Sequence, residues 1–323
     1  MMDTPTRAIA LRPRSTAALA LVSVAGLLAF LWPLFASAGS RLGQNADAPL
    51  VFALLLPLLL AVVLFEISEG GLDVKAVAML GVLSAVGAAL RPLGAGTAGL
   101  ETVFFLLVLG GRVFGPAFGF VLGSTTLFAS ALVTGGVGPW LPYQMLGAAW
   151  VGLGAGLLPQ VPRRWELVLL ACYGALAGLL YGVALNFSFW PFASGLESDL
   201  SFVAGAPPWE NLRRFGLFSL ATSAPWDLGR AVTNVVLIAL TGRAVLGTLR
   251  RASRRAAFDA EATFDAGDTV DAEATVDAEA TSDTDGTVDA EATSDADGTV
   301  DAVATPSAVR RDDEPATRHT LHG

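Results

Sequence analysis

Apolar residues fall in long blocks along the chain, separated by short polar or charged breaks. The blocks span roughly residues 15–36, 50–67, 74–90, 102–111, 115–134, 141–158, 165–185 and 215–246. A helix that crosses a bilayer needs about 20 apolar residues at ~1.5 Å each. All the blocks but 102–111 reach or approach that length. Between Glu101 and Pro159 the only charges are Glu101 and Arg112, which no soluble core would require. Glycine and proline cut this run into about three pieces, with breaks at Gly110-Gly111-Arg112, at Gly115-Pro116 and from Thr134 to Pro139.

The short block is decided by arginines. If 102–111 crosses the membrane, as a tilted or bilayer-thinning span, the chain has eight membrane helices and both termini are cytoplasmic. Arg7, Arg12, Arg14, Lys75, Arg112, Arg163, Arg164, Arg243 and the arginines from Arg250 to Arg255 then lie inside. Arg41, Arg91, Arg213 and Arg214 lie outside. If it does not cross, Arg163-Arg164 and the Arg250 cluster move outside, against the positive-inside tendency. The first block ends in Ala36-Ser37-Ala38, the small-x-small form of a signal-peptidase site, so cleavage competes with a first membrane helix.

Small residues keep helical spacing within the blocks. Gly115, Gly119 and Gly123 share one stripe, and Ala148, Gly152 and Gly156 another. Such stripes let backbones approach closely, which is how helices associate in lipid. Both sets are therefore candidate helix-packing positions.

Composition agrees with the membrane reading: 53% of residues are hydrophobic and mean hydropathy is +0.59. The formal charge of −9 misleads, because 18 of the 29 acidic side chains lie after Arg255. The first 255 residues are net basic, with arginines at helix ends, a mark of topology and not of nucleic-acid binding. Residues 256–323 form a degenerate repeat of Asp, Ala, Glu and Thr with little that could build a core, and disorder is expected there. Asp283-Thr284-Asp285-Gly286 lacks the spacing and closing glutamate of a calcium loop, so no metal site is expected. The lone Cys172, in mid-helix, excludes an internal disulfide and is expected to be a small buried residue. His319 and His322 lie in the tail, leaving no histidine base in the membrane part and no catalytic constellation. No phosphate-cradling G-x-x-x-x-G-K-[ST] pattern occurs. No cofactor is called for, and energy for active transport would come from another chain.

Polar residues inside a membrane are costly and default to functional candidates. The last block carries Trp226, Asp227, Arg230 and Asn234. Asp227 and Arg230, three apart, can pair on one helix; Trp226, Arg230 and Asn234, spaced by four, share a stripe. A structural ion pair and a ligand contact explain Asp227 and Arg230 equally well. Toward the outside, Arg91, Trp140 and Gln144 sit at or just inside helix ends, and Glu101 is placed for a rim salt bridge with Arg91. The outer loop 186–214 holds Phe187, Phe189, Trp190, Phe192, Phe202 and Trp209, readable as interfacial aromatics or as a hydrophobic lid.

GPAFGFVLG followed by TGGVGPWLPYQMLGAAWVGLGAGLL resembles the substrate-specific S component of energy-coupling factor (ECF) vitamin transporters. From about 74 to 255 the order of segments is also similar to the six-helix S-component core. Residues 1–73, with two extra membrane helices, and the tail 256–323 lie outside the resemblance. The fold it implies is an all-α integral membrane protein of about eight helices.

The resemblance implies an outward pocket for a micronutrient, built from the loop 135–140, Gln144 and the polar stripe of the last helix. It also implies a docking face for the transmembrane T component, which connects to two ATPases. The matching positions are Gly81, Ala85 and Ala89, with glycine where the family pattern begins with alanine. A tryptophan-rich mouth suits a bulky amphipathic vitamin such as cobalamin. Two other classes remain open at this point: a self-contained secondary transporter, and a membrane scaffold whose acidic tail recruits a partner.

Overall fold

The computed structural model describes residues 12–37, 48–68, 72, 74–94, 99–193 and 199–280, with side chains undescribed for 48–53 and 255–280. Two compact units divide at Gly267, and the apolar blocks all lie in the first, Met1–Gly267. That unit is helical, with no strand among the described residues. The helices are α1 (Pro13–Phe30), α2 (Trp32–Phe35), α3 (Ala48–Ser68), α4 (Val74–Leu90), α5 (Phe104–Phe114), α6 (Pro116–Thr134), α7 (Leu141–Leu157), α8 (Arg163–Phe189), α9 (Pro208–Phe218) and α10 (Ala224–Ala280), the last of which runs past Gly267. Among the described residues, five segments are long and apolar enough to cross a membrane: Pro13–Phe30, Val74–Gly94, Pro116–Thr134, Arg163–Phe192 and Pro208–Arg254.

Much of the outside of the bundle is apolar. Leu21, Leu54, Val82, Leu132, Leu180 and Leu240 are among many large hydrophobic side chains left uncovered. Soluble monomers do not expose apolar surface on that scale, so the belt is suited to lipid.

Helix α5 sits at the centre, and every one of its residues is buried. A helix that meets no lipid need not match the bilayer thickness, so its eleven residues require neither a tilted nor a bilayer-thinning span. The expected break at Gly110-Gly111-Arg112 is absent. A Cβ at Gly111 would strike the Gly152 carbonyl and one at Gly110 the Leu122 side chain, so these glycines serve contact and not chain reversal. The reversal comes at Gly115, whose φ of 105° is open to glycine alone among common residues. Pro116 then opens α6 with the missing N–H where a helix start can spare it.

The two small-residue stripes face one another. A side chain at Gly119 would collide with the Gly152 carbonyl, one at Gly123 with the Ala148 carbonyl, and one at Gly156 with the Gly115–Pro116 backbone. Helices α6 and α7 thus lie backbone to backbone and antiparallel, with α5 packed across both.

The leading helices pack on this core: α1 on α3, α7 and α8, and α3 on α6 and α7. Polar side chains pin α1 and α2 at three levels. Trp150 Nε1–H donates to Ser23 Oγ, Tyr143 O–H to the Ala29 carbonyl and Trp32 Nε1–H to the Ser188 carbonyl, at 2.9–3.1 Å.

Three details differ from the sequence reading. Helices encroach on the loop 186–214 from both ends, and its aromatics close on themselves. Phe187, Trp190 and Phe215 form a buried cluster joined by Phe202, Phe218 and by Leu31 and Leu34 of the leading segment. Cys172 is exposed on the bundle surface, because a small residue on α8 can face the lipid side as readily as the core. Helix α10 continues through 256–280, where disorder is expected; alanine and glutamate are strong helix formers even without a core. Residues 281–323, with both histidines and the would-be calcium loop, lie outside the described residues.

Candidate functional site

At one end of the bundle α4, the segment before α5, and helices α6, α7, α8 and α10 bring polar side chains together in an otherwise apolar molecule. Helix α4 ends at Leu90, where Pro92 enforces a tighter 3-10 turn over Arg91–Gly94 and Arg91 is turned inward. Gly99, at φ 75°, lies so close to the Trp226 carbonyl that any Cβ would overlap it. That contact seats the backbone leading to Glu101 directly on α10.

Helix α10 begins at a deliberate irregularity. Pro225 has no N–H to give the Ala221 carbonyl, and the preceding turn Ser219–Ser223 relaxes into a π-helix whose next N–H, from Ala224, reaches the Ser219 carbonyl. Such bulges re-aim the residues that follow. The residues that follow here are Trp226, Asp227 and Arg230.

Arg230 is the hub. Its Nε–H donates to Glu101 Oε2 at 2.7 Å and an Nη1–H to Asp227 Oδ1 at 2.8 Å, while its guanidinium stands 5.3 Å from the centre of the Tyr181 ring. Asn186 extends the chain to the other Asp227 oxygen at 3.4 Å. On the far side of Glu101, Arg91 Nε lies 3.9 Å from Oε1. Arg91 reaches the α7 residue Gln144 through Nη2–H at 3.1 Å and the α6 residue Ser130 through Nη1–H at 3.5 Å. The polar chain therefore runs from α7 through Arg91, Glu101, Arg230 and Asp227 to α8.

Beside it opens a cleft of about 320 Å³, walled by Arg91, Glu101, Ser130, Thr134, Trp226 and Arg230 among others. It offers two cationic forks, one carboxylate, two hydroxyls and an indole left 45% exposed. That set can hold a small polar molecule with one flat or apolar side. Nothing in it supplies a nucleophile with an adjacent base.

Of the residues singled out from sequence, Arg91, Gln144, Trp226, Asp227 and Arg230 converge here. Trp140 does not: its indole N–H is tied to the Gly136 carbonyl and the ring is turned out. Asn234 does not either. It is fully buried farther along α10, where Nδ2–H donates to the Gly174 carbonyl of α8 at 3.2 Å, so it joins two helices below the cleft. Glu101 bonds Arg230 more closely than the Arg91 foreseen for it. Ser130, Thr134, Tyr181 and Asn186 were not foreseen. For Ser130 and Thr134 a signal existed, two hydroxyl residues four apart in the last turns of an apolar helix.

The opposite end holds a second cluster. Arg112 Nε–H donates to Glu166 Oε1 at 2.9 Å, its Nη1 to the Leu158 and Pro159 carbonyls and its Nη2 to Gln160 Oε1, each at 3.1 Å. Arg250 adds an Nη2–H bond to the same Glu166 oxygen at 2.6 Å. Helices α5, α8 and α10 are clamped there.

On α4 the face away from α6 is bare. Gly81, Ala85 and Ala89 are exposed, and a Cβ at Gly81 would meet nothing, whereas Leu80, Leu83, Ser84, Gly87 and Ala88 are buried.

The profile of the family described as "ECF transporter, substrate-specific component" matches residues 75–247, more than half of the chain and coincident with α4 through the first part of α10. No curated protein and no solved structure matches the chain.

Proposed function

Because this chain belongs to the substrate-specific components of ECF transporters, we propose that it is the membrane subunit that captures a vitamin or related micronutrient in the cleft beside Arg91, Glu101 and Arg230. The observation that carries this reading is the continuous polar chain from Gln144 to Asn186, built from five separate segments around an open cleft. Charged groups in a bilayer interior cost a few kcal/mol each on insertion scales. A row of them, left beside open space and not sealed, fits recognition of a solute.

The helix order supports a reading of eight membrane crossings. Arg91 and Glu101 precede α5 at the cleft end, and Arg112 closes α5 at the other, so this short buried helix links the two ends. The positive-inside tendency then favours an outward-facing cleft with both termini in the cytoplasm. The chain is a binding subunit and not an enzyme; uphill transport depends on a T component and two ATPases. The bare small-residue face of α4, with Gly81, Ala85 and Ala89, is the surface offered to the T component. A cleft of about 320 Å³ sits at the low end of the range for ligand pockets. That favours a compact vitamin over a corrinoid as large as cobalamin.

Mass spectrometry of the small molecule retained through gentle detergent purification tests the capture role. A defined micronutrient should be found with the wild-type chain and lost with Trp226→Ala. Uphill uptake by the chain alone in vesicles would overturn the reading. A reporter fused after Arg255 should read cytoplasmic, and an external signal would overturn the eight-helix arrangement.

A further inference from the structure

Arg91 is the least satisfied cation of the cleft. A guanidinium carries five N–H donors in a planar fork and stays ionised. Among the described residues Arg91 uses two of them, one at 3.1 Å to Gln144 and one at the outer limit of 3.5 Å to Ser130. Its Nε–H points toward Glu101 across 3.9 Å, too far for a hydrogen bond. Glu101 is correspondingly lopsided: Oε2 is engaged by Arg230 at 2.7 Å, while Oε1 accepts no hydrogen bond among the described residues. The two side chains are about one-fifth exposed and both line the cleft.

From this unclosed pair we propose that the ligand is a small carboxylic acid whose carboxylate binds the Arg91 fork and which carries its own N–H or O–H donor for Glu101 Oε1. The proposal rests on the cleft being the capture site. A carboxylate matches the planar fork in a way that a single hydroxyl or amide oxygen does not. Phosphate fits less well: the four ionised groups Arg91, Glu101, Asp227 and Arg230 already sum to zero, and a dianion beside Glu101 would meet more repulsion than a monoanion. Trp226 supplies the apolar wall for the ligand's body. Arg230 cannot take the same role, because Glu101 and Asp227 already occupy it from both sides.

The test uses the purified full-length chain in lipid nanodiscs and compounds that share a body and differ in one group: biotin with its amide, and pantothenate with pantothenol, both acids carrying N–H or O–H donors besides the carboxylate. Binding is read by calorimetry and by the shift in unfolding temperature. At least one acid should bind about tenfold or more tightly than its neutral counterpart, the range of one charge-assisted contact. Arg91→Gln should reduce that preference to near unity with the unfolding temperature unchanged. Arg91→Lys, which keeps the charge and loses the fork, should restore only part of it.

An acid preference that survives Arg91→Gln, a preference for the neutral partners, binding by none of the acids, or competition by inorganic phosphate stronger than by acetate would each overturn the proposal. Two failures remain distinguishable. If a neutral compound binds and Trp226→Ala weakens it, only the ligand class is wrong. If compounds bind and neither Arg91→Gln nor Trp226→Ala matters, the cleft itself is not the capture site.

Discussion

The two ends of the bundle each hold arginines and carboxylates within apolar surroundings, yet they are built to opposite standards. At the Arg112 end every nitrogen of the guanidinium is bonded, to Glu166, two backbone carbonyls and Gln160, and the Arg112 and Glu166 side chains are 1% and 6% exposed. At the Arg91 end one pair stands 3.9 Å apart beside an open cleft. Burying a charge is tolerated when its partners are complete and costs several kcal/mol when they are not. A complete cluster is therefore what a fold uses to hold itself together. An incomplete one, kept within reach of solvent, waits for a molecule to finish it.

The sharpest way to break this contrast is to unmake the closed cluster. Glu166→Ala leaves Arg112 buried without its counter-ion and should cost about 3–5 kcal/mol, seen as loss of monodisperse protein on size exclusion in detergent. A Glu166→Ala protein of unchanged stability would mean that the closed end is not structural. Next in size is the close helix contact that supports both ends. Gly119→Val forces a side chain against the Gly152 carbonyl and should destabilise by about 1–3 kcal/mol or more, with a clear fall in unfolding temperature.

At the open end the expectation reverses. Arg91→Gln should change stability by less than about 1 kcal/mol, as for partly exposed ion pairs, while abolishing ligand retention in the mass-spectrometric assay. The smallest effect on the chain itself belongs to Ala85→Trp on the bare face of α4. Stability should shift by no more than about 0.5 kcal/mol and ligand retention should be unchanged, but co-purification with a T component should be lost.

Much of this was legible in the sequence because lipid simplifies the code. Blocks of apolar residues gave the helix order, and glycine and alanine at spacing four marked the faces where α6 and α7 meet. Charged residues inside apolar blocks were few enough that Asp227 and Arg230 stood out, with Arg91 and Gln144 at neighbouring helix ends. What stayed hidden depends on distance along the chain. Arg112 and Arg250 read separately as markers of the cytoplasmic side, Glu166 drew no reading, and nothing local says that both arginines donate to one Glu166 oxygen. The aromatic loop was equally opaque. Its residues suit a lid over a ligand, yet Trp190 donates to the Leu200 carbonyl, and Phe202, Phe218 and the leading segment's Leu31 and Leu34 all pack against the Phe187, Trp190 and Phe215 cluster. Asn234 kept the spacing of the ligand stripe while facing Gly174, because a helix of 3.6 residues per turn drifts away from a strict period of four.

From Asp227 to Arg250 helix α10 is uninterrupted, a rod of roughly 35 Å at ~1.5 Å per residue. One tip is hooked into the polar chain beside the cleft through Asp227 and Arg230, and the other into the Glu166 clasp through Arg250. Swinging such a lever by about 10° around its cleft end would carry Arg250 some 6 Å, enough to unfasten the clasp, so the two ends are coupled mechanically through one rigid helix.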